Sequence, residues 1–139
     1  PWVPETEWPV LAPFWAALRD GTLAFPRCTN CGRFQWYPQP MCPACRAMAF
    51  EWTDVRPAGT IFTFTVVRKA FLPAFADRLP MTAALVEIDD APGVRLVTNV
   101  FTVDGQDVVG ATSIGAEVDI EIVEVAAGVH LPFAVQRRT

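Results

Sequence analysis

Cys28-Thr29-Asn30-Cys31, ten further residues, and then Cys42-Pro43-Ala44-Cys45 decide how this chain is read. These four are its only cysteines, so two Cys-x-x-Cys knuckles pair with no thiol left over. Four thiolates compensate the charge of Zn²⁺ and fill its tetrahedral shell, the closed arrangement of a structural site with no position open to substrate. Two alternatives compete with zinc. A pair of disulfides is disfavoured by the knuckle spacing and the lack of a secretory signal, and iron is the less expected metal in a hairpin this small. Zinc is therefore the expected cofactor, held by Cys28, Cys31, Cys42 and Cys45. Gly32, directly after Cys31, suits a tight turn whose backbone N–H groups face a cysteine sulfur.

Working outward, Leu23–Arg27 reads as a strand entering the first knuckle, Gly32–Pro38 as its return, and Phe50–Val55 as the strand after the second knuckle. Upstream, Val10, Leu11, Phe14, Trp15 and Leu18 recur at helical spacing. Pro13 must then lie in the first turn, where a missing N–H costs little. Asp20-Gly21 ends the helix, and Arg19 near that end suits the dipole. A short helix with one apolar stripe needs a cover, and the ribbon is the nearest. The Pro- and Trp-rich arm Pro1–Pro9 either folds back on its own domain or docks on another subunit. For docking, Trp2 and Trp8 are the candidate anchors, since Trp is favoured in buried interface positions.

Beyond Pro57-Ala58-Gly59 the texture changes. Thr60–Val67 alternates Thr63 and Thr65 with Phe62, Phe64 and Val66, the period of a strand with one buried face. Thr82–Ile88, Val94–Val103, Glu117–Val125 and Val129–Val135 follow as strands, with a turn at Asp89–Gly93. In Glu117–Val125 the apolar set passes from Val118, Ile120 and Ile122 to Val123 and Val125, a one-residue slip that predicts a β-bulge. Five strands without a long helix between them predict a small antiparallel barrel of the OB type. The expected fold is mostly β, an N-terminal helix plus a rubredoxin-like zinc ribbon followed by a five-stranded OB-fold barrel. It divides as 1–21 (arm and helix), 22–56 (zinc ribbon) and 57–139 (barrel). Ala70–Met81 does not fit the barrel wall: Phe71, Leu72, Phe75, Leu79 and Met81 make it apolar while Pro73 and Pro80 break it. It either caps its own barrel or meets a partner or an acyl chain.

The 139 residues are 52% hydrophobic, with ten Phe and five Trp against one Tyr and one His, enough core for one domain or for a metal module fused to a modest second one. The apolar runs are far shorter than the roughly 18 to 20 residues of a membrane span, and no signal peptide opens the chain, so no membrane contact is expected. The expected compartment is the cytoplasm, where reduced thiols hold metal. Fifteen acids against eleven bases give a net charge of −4, with Arg68-Lys69 and Arg137-Arg138 the only basic pairs. That balance disfavours a nucleic-acid partner, whose binding rests on phosphate neutralisation. Because Pro1 is not preceded by an initiator Met, a neighbouring domain is expected outside this sequence.

Catalysis can be tested by inventory. A general base or nucleophile needs a His, a carboxylate pair or a free thiol with a partner in reach. His130 is the only His and stands in a predicted strand, all four thiols are claimed by metal, and Asp89-Asp90 and Glu51 with Asp54 read as solvated turn and strand-edge acids. No phosphate loop, His-Glu-x-x-His or Gly-x-Ser-x-Gly motif is present. The chain is expected to make no bonds alone, and no catalytic residue is assigned.

The strings Phe14-Trp15-Ala16-Ala17-Leu18-Arg19-Asp20-Gly21, Arg27-Cys28-Thr29-Asn30-Cys31-Gly32-Arg33, Pro38, Pro40, Cys42-Pro43-Ala44-Cys45 and Gly59-Thr60-Ile61-Phe62-Thr63-Phe64-Thr65-Val66-Val67, in this order, resemble the zinc-ribbon-plus-OB-fold proteins filed as domain-of-unknown-function 35. The likeness runs from Val10 to Leu131-Pro132-Phe133. It implies an accessory subunit acting with a thiolase-fold partner on an acyl-CoA thioester, in retro-aldolases of steroid side-chain degradation or in acetoacetyl-CoA-forming complexes. Some members are fused to a MaoC-like hydratase domain. The absent Met and the Pro-rich start suit a C-terminal domain of such a hydratase fusion, and on that ground the steroid-type retro-aldolase complex is expected, with an acetoacetyl-CoA condensing complex or a nucleic-acid-binding ribbon/OB module as alternatives. A CoA thioester asks for cations and an apolar slot; Arg68 and Lys69, followed at once by Phe71 and Phe75, offer both and form the candidate CoA or partner surface.

Overall fold

A computed structural model describes residues 4–70, 72–103 and 112–137. Helix α1 spans Ala12–Arg19 with Pro13 in its first turn. The Trp8 carbonyl opens it by accepting the N–H groups of Leu11 and Ala12 at 3.0 and 2.9 Å. Phe14 and Leu18, one turn apart, form its buried stripe. The Phe14 ring lies 4.6 Å from that of Trp36 and 6.0 Å from that of Phe25, and Phe25 meets Trp36 edge-to-face at 5.2 Å. The ribbon thus covers the helix, as expected, and the last barrel strand contacts it as well.

Strands β1 (Leu23–Cys28) and β2 (Phe50–Val55) pair antiparallel from Leu23 opposite Val55 to Cys28 opposite Phe50. The return strand expected over Gly32–Pro38 shrinks to a single bridge between Arg27 and Phe34, with the Gln35 N–H donating to the Pro26 carbonyl at 3.0 Å. Pro26 explains the shortfall. Its carbonyl faces the would-be third strand, so its missing N–H faces there too, and the ladder cannot continue past it.

Strands β3 (Ala58–Val67), β4 (Met81–Ile88), β5 (Arg95–Phe101), β6 (Glu117–Ala126) and β7 (Val129–Gln136) close into a barrel in the order β3-β4-β5-β7-β6. This is the OB order, with the first and fourth barrel strands joined by pairing of Ala58–Thr60 with Asp119–Glu117. In β4, buried Thr82, Ala84, Val86 and Ile88 alternate with half-exposed neighbours, the period-two signature of a wall with one dry face. Ile61, Val86, Ile88, Val94, Val100 and Val118 fill the interior. Phe14, Leu18, Leu23, Phe25 and Val55 belong to the same buried cluster, so helix, ribbon and barrel share one core.

Two details differ from expectation. The β6–β7 ladder runs unbroken through Val123 opposite Leu131 and Glu124 opposite His130, and its irregularity lies between Glu124 and Ala126. Val123 and Val125 therefore stay largely outside, and the bulge is displaced to the hairpin turn, where the chain must already bend. A second irregularity between Ile61 and Thr63 expels Phe62 from the face that Phe64 shares, and the Arg95 guanidinium lies over the Phe62 ring at 3.8 Å.

The Asp89–Gly93 turn seals the barrel next to the ribbon. Ala91 and Val94 are fully buried, while Asp90 accepts the Arg56 N–H at 3.0 Å and Asp89 accepts the Arg56 guanidinium at 3.4 Å. Within the apolar segment after β3, Pro73–Arg78 forms a 3-10 helix, with Leu72 exposed ahead of it. No helix among the described residues is long and apolar enough to cross a membrane.

Candidate functional site

The two knuckles are built alike. In the first, the Cys28 N–H donates to the Arg33 carbonyl at 2.8 Å and the Gly32 N–H to the Cys28 carbonyl at 2.9 Å. In the second, the Cys42 N–H donates to the Ala47 carbonyl at 2.8 Å and the Arg46 N–H to the Cys42 carbonyl at 2.9 Å. The same position of each turn is left-handed, Gly32 at φ 79° and Arg46 at φ 65°. Glycine adopts this conformation at no steric cost, whereas Arg46 is held in it by its turn. The repeated turns aim all four sulfurs at one point.

Sγ of Cys28 and Cys45 are 3.5 Å apart, those of Cys31 and Cys42 3.6 Å, and all four lie within 4.8 Å of one another. A tetrahedral zinc with bonds of about 2.3 Å requires sulfurs about 3.8 Å apart, so the set fits the ion. The Cys31 N–H, 3.5 Å from the Cys28 sulfur, supplies a backbone donor to it. It is this N–H, not that of Gly32, that faces a thiolate.

The electrostatics also call for a cation. Cys45 is lowered to about 6, first by a hydrogen bond from the Asn30 side chain and then by the Ala47 N–H. Cys42 is lowered by the N–H groups of Cys45 and Ala44. Cys31 goes the other way: the Arg33 N–H lowers it, but desolvation and the three neighbouring sulfurs outweigh that and raise it to about 11. Four thiolates this close cannot all be charged without a positive ion among them. Zinc must displace the Cys31 proton at neutral pH, so loading is favoured as pH rises. Asn30 is a site residue that sequence reading did not single out, although its place inside the first Cys-x-x-Cys was the available signal. Asn30→Ala should weaken zinc binding by about 10-fold or more, as loss of a group supporting a metal ligand does. Competition with a chromophoric chelator measures this directly, and an unchanged affinity would remove Asn30 from the site.

The other candidate residues are scattered. Arg68 and Lys69 are exposed just past the end of β3, and Phe75 falls within the 3-10 helix. Trp8 is exposed ahead of α1. Trp2 and Phe71 lie outside the described residues. Nε2 of His130 faces Oε2 of Glu124 across β6 and β7 at 3.6 Å, and Asp89 and Asp90 serve the ribbon–barrel joint through Arg56. Among the described residues, these groups form no nucleophile–base pair.

Residues 15–51 match the family described as ChsH2, rubredoxin-like zinc ribbon domain, and residues 52–123 match that described as ChsH2, C-terminal OB-fold domain. The chain belongs to the ChsH2-type DUF35 family. A DUF35 domain-containing scaffold protein of Methanocaldococcus jannaschii is 29% identical over 83 residues, which are 59% of this chain and 57% of that protein. The chain thus spans less than two thirds of that relative's length. Among solved structures, a chain of the Ltp2-ChsH2(DUF35) aldolase is 24% identical with a TM-score of 0.81, over 96% of this chain and 98% of that one. A DUF35-family protein of unknown function from Sulfolobus solfataricus is 16% identical with a TM-score of 0.62, over 96% and 89%. At these identities the two structures share the fold with this ChsH2-type chain. The expected fold is borne out, and the four cysteines are the structural zinc site of a rubredoxin-like ribbon.

Proposed function

We propose that this ChsH2-type chain is a noncatalytic accessory subunit of a thiolase-fold enzyme that makes or breaks carbon–carbon bonds in acyl-CoA thioesters. The observation that carries this reading is a closed four-thiolate site on a ChsH2-type fold, among whose described candidate residues no nucleophile–base pair is assembled. Such a fold can shape, support or position a catalytic partner. The likeness to a chain of the Ltp2-ChsH2(DUF35) aldolase favours a retro-aldol reaction, and the steroid side chain is the proposed substrate class. The name of the archaeal relative, a scaffold protein, favours a second reading, a bridging role in an acetoacetyl-CoA condensing complex. Nucleic acid is the poorer partner. The barrel wall at Glu117, Asp119, Glu121 and Glu124 is exposed and acidic, and the chain carries a net charge of −4.

The proposed organisation keeps 1–21 as arm and helix, 22–56 as ribbon and 57–139 as barrel, with a MaoC-like hydratase domain as a fusion partner. Arg68 and Lys69 are the proposed contacts for CoA phosphates, with Phe71 and Phe75 beside the pantetheine arm. Trp2 and Trp8 are proposed anchors on the catalytic subunit. A reducing compartment such as the cytoplasm suits a site that needs free thiolates. The test is enzymatic. The chain alone should turn over no acyl-CoA, and it should raise the rate or stability of a co-purified thiolase-fold subunit. Turnover of an acyl-CoA by the isolated chain would sink the proposal.

A further inference from the structure

Strands β5 and β7 run parallel but pair only at Val100 with Ala134 and Phe101 with Val135. The residue that ends this ladder is Pro132, which has no N–H to give. There the Thr98 hydroxyl donates to the Pro132 carbonyl at 2.7 Å in place of a main-chain bond. Ahead of the paired residues lies a groove of about 390 Å³, walled by the two strands on the barrel side and by α1 and the ribbon on the other. Its apolar walls include Leu11, Trp15, Trp36, Tyr37, Val97 and Phe133.

Three observations show what this groove is for. First, it carries no Asp, Glu, Lys or Arg, and through Val97 it continues onto an equally uncharged outer wall of the barrel at Thr63, Thr65, Ala83 and Leu85. Phe14, Ala84, Leu96, Thr98 and Pro132 are the buried floor of these two surfaces, which leaves fourteen reachable lining residues. That is fewer than the roughly 20 to 30 residues a side of a complete protein interface, so the patch has the size of an interface's apolar centre and not of the whole. By contrast, Glu117, Asp119, Glu121 and Glu124 on β6 are exposed acids. Second, large apolar side chains stay in water around this groove: Tyr37 is 59% and Val97 56% exposed, as is Trp8 between the groove-lining Pro4 and Leu11. Tyr and Trp on such a neutral surface are the usual anchors of an interface, and Val97 is the apolar surface beside them. Third, the one side-chain amide in its lining turns inward: Asn99 donates to the Thr82 carbonyl at 3.3 Å.

We infer that this groove and the adjoining β3–β4–β5 wall form the docking face for the catalytic subunit, and that they receive an uncharged protein surface with a protruding aliphatic or aromatic side chain. This rests on the proposed function for the identity of the occupant. A second copy of this chain is the competing occupant, and self-association through this face is the outcome that would reveal it.

The experiment co-purifies the tagged full chain with its thiolase-fold subunit and measures the affinity for wild type, Val97→Glu, Tyr37→Ala and, as a control on the acidic wall, Glu121→Lys. Zinc content and melting temperature confirm that each variant is folded; both docking-face positions are exposed, so folding should survive. The expected result is at least about tenfold weaker binding for Val97→Glu and Tyr37→Ala with Glu121→Lys unchanged, the size of a lost interface anchor. If the subunit binds both docking-face variants as tightly as wild type, the docking face is wrong and the proposed function stands. If wild type self-associates through this face and Val97→Glu makes it monomeric, the occupant is wrong. If wild type retains no thiolase-fold subunit, both readings fall.

Discussion

Cys28→Ala is expected to reduce zinc from about one ion per chain to nearly none, because three thiolates leave a closed tetrahedral site incomplete. The energetic scale makes this a folding experiment as much as a binding one. Structural zinc in small modules contributes on the order of 10–16 kcal/mol, comparable with the whole stability of a typical domain. A two-stranded hairpin has no comparable resource of its own. The damage should nevertheless be local. Leu23, Phe25 and Val55 lie at the barrel end of β1 and β2 and share the continuous core, whereas both knuckle turns lie beyond it. Elemental analysis should show the metal loss, and limited proteolysis should cut within residues 28–49 while the barrel survives. Full zinc occupancy in this variant, or two disulfides in the wild type by mass spectrometry, would refute the account of the ribbon.

Gly59→Ala should be the most damaging small substitution in the barrel. Gly59 pairs with Ile88 of β4 on one side and Val118 of β6 on the other, at the point where the barrel closes. A Cβ there would overlap the Glu87 carbonyl oxygen and lie 2.7 Å from Cγ1 of Val86. The obstacle includes backbone, which cannot rotate away, and Val86 is fully buried. Overpacking of this kind costs about 3 kcal/mol, which for a domain of this size lowers the melting temperature by roughly 10 °C. Thermal unfolding followed by circular dichroism measures the loss. A shift of only a degree or two would show that β3 and β4 can separate at no cost, contrary to the packing described.

Much of the architecture was legible because each signal was local and redundant. The knuckle spacing, the helical recurrence of Phe14 and Leu18 and the alternation in Thr82–Ile88 each point to one structure at several successive residues. What could not be read depended on which neighbour lay opposite. The slip at Ile122–Val123 looked like a bulge, but the partner strand keeps register there and leaves Val123 outside. Phe62 looked buried until the irregularity at Ile61–Thr63 turned it out. The third ribbon strand failed at Pro26, whose missing donor matters only once it is known which side that donor would face. The zinc ligands were legible in full. The groove was not, since it assembles Trp15, Trp36, Val97 and Phe133 from distant segments, and its cause, one proline in β7, reads locally as an ordinary strand interruption.

Trp36 and Tyr37 lie near the middle of the stretch that joins Cys31 to Cys42, a loop whose two ends are both fastened to the same ion. No cysteine touches the apolar groove, yet the metal restricts how far its aromatic wall can wander, because tying down both ends of a short loop removes most of its freedom. Without zinc that freedom would return, and any protein seated against Tyr37 would first have to immobilise the loop. Such ordering is paid out of binding affinity. An ion that performs no chemistry can thereby govern assembly from a distance, by deciding whether one side of the receiving surface is already in place when the companion arrives.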